Sequence, residues 1–140
     1  MRRAAGICLL AGALAGCGGG GGGGGGASAG DEVRIELTQQ NASSEFGTVT
    51  LTPLGDQTRI LVETEGPFDR EFIQPVHIHK GTCGSLDVAE AYPLPILQDG
   101  ITEETLEVSL DELLAAGLAI ESHKSEQDDT PVTCGEIKTE

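Results

Sequence analysis

The chain has 140 residues, 23 of them acidic and 8 basic, for a formal net charge of −15 at neutral pH. A surface of that sign does not seek nucleic acid or anionic lipid. The length allows one domain with one core once terminal segments are set aside.

The first segment reads as an export signal. Arg2 and Arg3 precede an apolar stretch over residues 4–15, and the tetrapeptide LAGC ends at Cys17. LAGC resembles the bacterial lipobox, in which the cysteine is acylated and becomes the mature N-terminus. Residues 1–16 are therefore expected to leave as a lipoprotein signal peptide, with Cys17 carrying the lipid that holds the protein to a membrane. The apolar stretch is too short to span a bilayer comfortably as a retained helix. Residues 18–26 are unbroken glycine, and residues 27–30 continue the low complexity. Glycine buries no side chain and loses much backbone entropy on ordering, so residues 17–30 form a flexible linker with a reach on the order of 20 Å. Removing the leader discards two arginines and no acidic residue. The acidic domain is thus expected to stand away from the membrane. Gly18 follows the cysteine in place of the aspartate associated with inner-membrane retention, so the expected location is the cell envelope at the outer membrane.

From residue 31 to residue 140 the pattern is alternation, the period of half-buried strands. Val33, Ile35 and Leu37 alternate with Arg34, Glu36 and Thr38, and Val49 and Leu51 alternate with threonines. After a turn over PLGDQ, Ile60 and Val62 repeat the pattern, and in PVHIHK Val76 and Ile78 alternate with His77 and His79. Residues 81–95 read as a loop, with Gly84, Pro93 and Pro95. A strand over TLEVS points Leu106 and Val108 inward. Ser109 then opens a short helix through the capping box SLDE, and Gly117 can end it. LAIESH and VTCGEI supply the last strands. The expected fold class is all-β, a Greek-key barrel or sandwich of seven or eight antiparallel strands with one short helix.

Cys8 departs with the leader and Cys17 takes lipid, which leaves Cys83 and Cys134. An even pair in an exported domain reads as a disulfide. The competing reading makes them thiolate ligands for zinc, an arrangement suited to a reducing compartment. The three histidines are His77, His79 and His123. Positions i and i+2 of a strand share a face, so His77 and His79 project together, about 6.5 to 7 Å apart along the backbone. Leu118 and Ile120 point inward on the later strand, which puts His123 outward as well. Imidazole nitrogens suit copper and zinc, and three of one sidedness make a first shell, with copper the expected ion. A blue-copper site is excluded, because Met1 is the only methionine and no histidine follows Cys134. Cys–His nucleophilic catalysis is excluded by the expected disulfide.

HIH with a cysteine soon after, followed late in the chain by ESHKSEQDD and VTCGEI, resembles the copper/zinc superoxide dismutase family. GTVTLTP and LEVSLDE extend the similarity over most of residues 33–137. The resemblance implies a Greek-key β-barrel, with His77, His79 and His123 as ligands of one copper ion and Cys83 bonded to Cys134. It further implies superoxide as the substrate of a copper-dependent oxidoreductase. Departures from the family are equally specific. The stretch after His79 holds no histidine, so the bridging histidine and the zinc ligands are missing and zinc is not expected. Pro131 stands where the family has a superoxide-orienting arginine, three residues before the terminal cysteine. The charged loop before that cysteine is reduced to residues 124–133 and is acidic through Glu126, Asp128 and Asp129. Lys80 and Lys124 each adjoin a ligand, but strand neighbours point to the opposite face.

The expectation is a superoxide dismutase-like, copper-binding envelope lipoprotein. The alternatives are a non-enzymatic protein that buffers or delivers copper, or a metal-free structural domain on the same fold.

Overall fold

The computed structural model describes residues 31–67 and 73–139. The expected signal peptide, Cys17 and the glycine linker lie outside the described residues. Eight strands appear in chain order: β1 Val33–Gln39, β2 Phe46–Pro53, β3 Thr58–Glu65, β4 Val76–Thr82, β5 Ser85–Pro93, β6 Ile101–Leu106, β7 Leu118–Ser125 and β8 Asp128–Ile137. One helix, α1 Leu110–Ala115, lies between β6 and β7.

All strand pairs are antiparallel, in one curled sheet of order β5-β4-β7-β8-β1-β2-β3-β6. Only Thr38↔Cys134 and Gln39↔Thr133 join β1 to β8, so the sheet folds there into two four-stranded halves. The β3–β4, β5–β6 and β6–β7 connections each pass from one half to the other, which is Greek-key wiring. The all-β fold expected from the alternation is the one observed.

The alternating residues close on each other between the halves. Val49, Val62, Val76, Ile78 and Ile120 are fully enclosed, and Ile35, Leu37, Leu51, Ile60, Leu118 and Ile137 join the same cluster. Ser122 also points inward, where its hydroxyl meets Thr133 Oγ1 at 2.7 Å, so this buried polar pair is satisfied. β8 approaches β1 so closely at Gly135 that an added Cβ would sit 2.6 Å from the Glu36 carbonyl oxygen. Only glycine fits there without moving backbone.

Three expectations need correction. Residues 81–95 are mostly strand rather than loop, since β5 occupies Ser85–Pro93. β5 is an edge strand exposed over much of both faces, with Val88 fully exposed, so no buried face imposed an apolar alternation on its sequence. The strand expected over TLEVS begins earlier, at Ile101, and ends at Leu106; Val108 lies beyond it, packed against the core only in part. Residues 124–133 are not a loop either, because β7 runs to Ser125 and β8 starts at Asp128. The acidic segment is a tight hairpin, turning at Glu126 and Gln127.

α1 forms as expected. Ser109 takes an extended N-cap conformation, its Oγ accepts from the Glu112 amide at 3.4 Å, and the Glu112 carboxylate accepts from the Ser109 amide at 3.3 Å. Gly117, with φ of 64°, terminates the helix in the left-handed region. Leu110 and Leu113 are its buried side chains. Ser109→Ala is expected to cost about 1 kcal/mol, read as a lowered urea midpoint at unchanged m-value. An unchanged midpoint would show that burial of Leu113 alone holds the helix.

Candidate metal centre

β4 lies between β5 and β7, and its register sets His77 directly opposite Glu121 and His79 opposite Ala119. The outward parity of β4 and β7 therefore collects His77, His79, Glu121 and His123 on one face. Register alone leaves His79 and His123 apart along the strands. The ladders on the far side of each strand are irregular at these two residues. The β4–β5 register shifts on either side of His79, and the β7–β8 register shifts on either side of His123. Such bulges bend a strand and re-aim its side chains. Gly81 serves the first of them, with φ of 116° and its amide bonded to the Gly117 carbonyl at 2.9 Å. At the second, the His123 amide donates to the Pro75 carbonyl at 2.9 Å, tying β7 to the start of β4.

One ligand atom each from His79, Glu121 and His123 lies within 4.8 Å of the others. The tautomers follow from the neighbours. His79 Nδ1 is 3.0 Å from the Asp87 carbonyl oxygen, and His123 Nδ1 is 2.8 Å from that of Asp129. A carbonyl only accepts, so each Nδ1 carries its proton and donates, and a neutral ring then offers its lone pair at Nε2. His123 Nε2 lies 3.4 Å from Glu121 Oε1, with both side chains mostly buried. His79 Nε2 is buried without a hydrogen-bond partner.

His77 sits beside this group rather than inside it. Its ring centroid is 5.2 Å from that of His123 and 5.8 Å from that of His79. Its Nδ1 lies 2.9 Å from Glu90 Oε1, so the Glu90 carboxylate is its partner. Burial pushes the His77 pKa below its usual 6.5, with the neighbouring His123 and His79 adding to the shift and Glu90 opposing it.

That shift has a stability consequence. Below pH 6.5 the unfolded chain takes up a proton at His77 that the folded metal-free chain refuses until lower pH. The His77 contribution is then fully present above pH 6.5 and is lost as pH falls toward the folded value. Urea unfolding of the metal-free chain at pH 7.5 and 5.5 reads this, and His77→Gln is expected to flatten the difference. An identical slope in the variant would remove His77 from the account.

Chemically, the arrangement is a set of lone pairs and carboxylates converging with few donors between them. Imidazoles whose outer nitrogen is held by a backbone carbonyl are the usual form of metal-ligating histidine. The residues present therefore fit a metal of the copper and zinc kind. Lys124 does not relieve the acidity, since its Nζ is paired with Asp128 Oδ2 at 2.9 Å. Pro131, opposite His123, brings no charge.

Cys83 and Cys134 form a disulfide, with Cα atoms 5.9 Å apart. Their alternative role as thiolate ligands for zinc falls with that bond. The disulfide fastens the β4–β5 turn to β8. Sequence reasoning did not single out Glu121, Glu90 or the two anchoring carbonyls. Glu121 was accessible to it, because E-x-H on β7 repeats the same-face logic of H-x-H on β4. No model of a known protein family matches the chain, and no curated protein matches it. Fold and site together describe an all-β domain bearing a cluster of imidazoles and carboxylates on one sheet face.

Proposed function

We propose that the protein is a superoxide dismutase-like copper-binding domain, carried at the cell envelope on a lipid anchor at Cys17. The ligands proposed for one copper ion are His77, His79 and His123. The observation that carries this reading is the buried Nε2 of His79, which has no hydrogen-bond partner and stands on the face that also gathers Glu121 and His123. Leaving such an atom unpaired costs about 1 to 3 kcal/mol, a cost that coordination removes. The envelope location rests on the lipobox resemblance and the glycine leash, and the family reading on the motifs of residues 33–137.

Bound copper supplies a one-electron redox couple and a Lewis-acid centre. What the chain itself does is hold the rings. The Asp87 and Asp129 carbonyls fix the tautomers. Holding or delivering copper suits this arrangement better than fast dismutation. Glu90 and Glu121 add negative charge beside the site, and Lys124 is engaged by Asp128, so an anion such as superoxide is not drawn in. Dismutation remains the second reading because His77 is 24 % exposed, which leaves a small molecule access to the ligand set.

The deciding experiment is Cu(II) titration of the full-length chain in detergent, followed by electron paramagnetic resonance, with His123→Ala alongside. One tightly bound equivalent with nitrogen hyperfine structure that the variant loses is expected. Absence of specific binding would leave only the metal-free structural domain. Superoxide consumption by the loaded protein separates enzyme from carrier, and the expectation is slow turnover.

A further inference from the structure

Among the described residues, two carboxylates pair directly with the histidines, Glu121 and Glu90. Glu121 is only 13 % exposed, and its Oε1 lies 3.4 Å from the His123 nitrogen left free by the Asp129 carbonyl. Glu90 adjoins the buried Nδ1 of His77 at 2.9 Å. The unpartnered Nε2 of His79, a residue 7 % exposed, is the independent sign that this cluster awaits a cation rather than solvating a face. Soft donors are missing: both described cysteines are in the disulfide, and the single methionine is Met1.

Two consequences follow from the donor set. Thiolate and thioether ligands select Cu(I), whereas imidazole with carboxylate suits divalent ions. Charge points the same way. Imidazole brings no charge to a metal it ligates, so the carboxylates of Glu121 and Glu90 offset the charge of a divalent ion, and a monovalent ion leaves an excess of negative charge in a half-buried site. Net charge away from water is costly, so reduction of the bound metal is opposed.

We propose that Glu121 is a metal ligand and that it makes this a site selective for Cu(II) over Cu(I). The proposal rests on the copper-binding reading above and deepens it by naming the oxidation state held. A site that resists reduction retains copper and turns superoxide over slowly, since dismutation requires both oxidation states.

The test uses the full-length chain in detergent. Cu(II) affinity is measured by chelator competition, Cu(I) affinity by anaerobic competition with bicinchoninate, and the midpoint potential of the bound copper directly. In the wild-type chain the midpoint is expected to lie below that of the aqueous couple, meaning that Cu(II) is bound more tightly. Glu121→Gln is expected to weaken Cu(II) binding at least tenfold while leaving Cu(I) affinity nearly unchanged. A tenfold change in that ratio raises the midpoint by about 59 mV for one electron. The Cu(II) resonance spectrum should shift as an oxygen donor is lost. If Cu(II) binds and Glu121→Gln changes neither affinity nor midpoint, Glu121 is only an ion-pair partner of His123 and this inference fails, while the copper-binding function stands. If no Cu(II) binds at all, both fail. Should Glu121→Gln not fold, the wild-type midpoint decides alone, and Cu(I) bound as tightly as Cu(II) overturns the proposal.

Discussion

Replacing Cys83 and Cys134 together by alanine is expected to lower stability by about 4 kcal/mol in the chain-entropy account of loop closure. The bond closes a separation of 51 residues, from the β4–β5 turn to β8, and that closure restricts the unfolded chain far more than the folded one. For a domain of this size the loss corresponds to a fall in melting temperature of roughly 20 °C. Cys134 is 2 % exposed, so part of any loss comes from the missing sulfur itself. Chemical reduction of the wild-type chain separates the two contributions, since it opens the loop and leaves both sulfurs in place. Thermal unfolding of the oxidised, reduced and doubly substituted chains makes the comparison. If the reduced chain melts within a few degrees of the oxidised one, loop closure is not what the bond contributes.

Removing His79 or His123 is expected to weaken Cu(II) binding at least ~100-fold, more than the loss of an outer-shell residue costs. His77→Ala is expected to be milder, on the order of tenfold. The ranking follows from geometry. His79 and His123 each have Nδ1 anchored on a backbone carbonyl and a free Nε2, and both belong to the group whose ligand atoms lie within 4.8 Å of one another. His77 stands outside that group, with its Nδ1 turned toward Glu90. Chelator competition on the three single variants reads the order directly. Equal losses in all three would mean that His77 closes in on the ion as tightly as the other two, and that the arrangement rearranges on binding.

Much of the fold was legible before any coordinates. Period-two alternation in VRIEL, TVTLT, RILVE and VHIH marks strands with one buried face, and Ile35, Val49, Val62, Val76 and Ile78 are in the core where that parity put them. The capping box at Ser109 is equally local, because both of its hydrogen bonds run within four residues. β5 was illegible for the complementary reason: an edge strand exposed on both faces needs no apolar alternation. The hairpin at Glu126 and Gln127 was hidden by its charge, which reads as loop until the β7–β8 ladder is seen.

The site divides along the same line. Sequence by itself determined that His77, His79 and His123 face outward on their strands and that Cys83 and Cys134 are available to pair, because strand parity and residue chemistry are local properties. Tertiary structure alone decided which of those side chains meet. His79 and His123 stand on different strands, and their approach to one another depends on how β4 pairs with β7. It also decided that Glu121, which E-x-H places on the face of His123, meets His79 as well, and that Asp87 and Asp129 hold the ring protons, since a cross-strand neighbour is fixed by pairing.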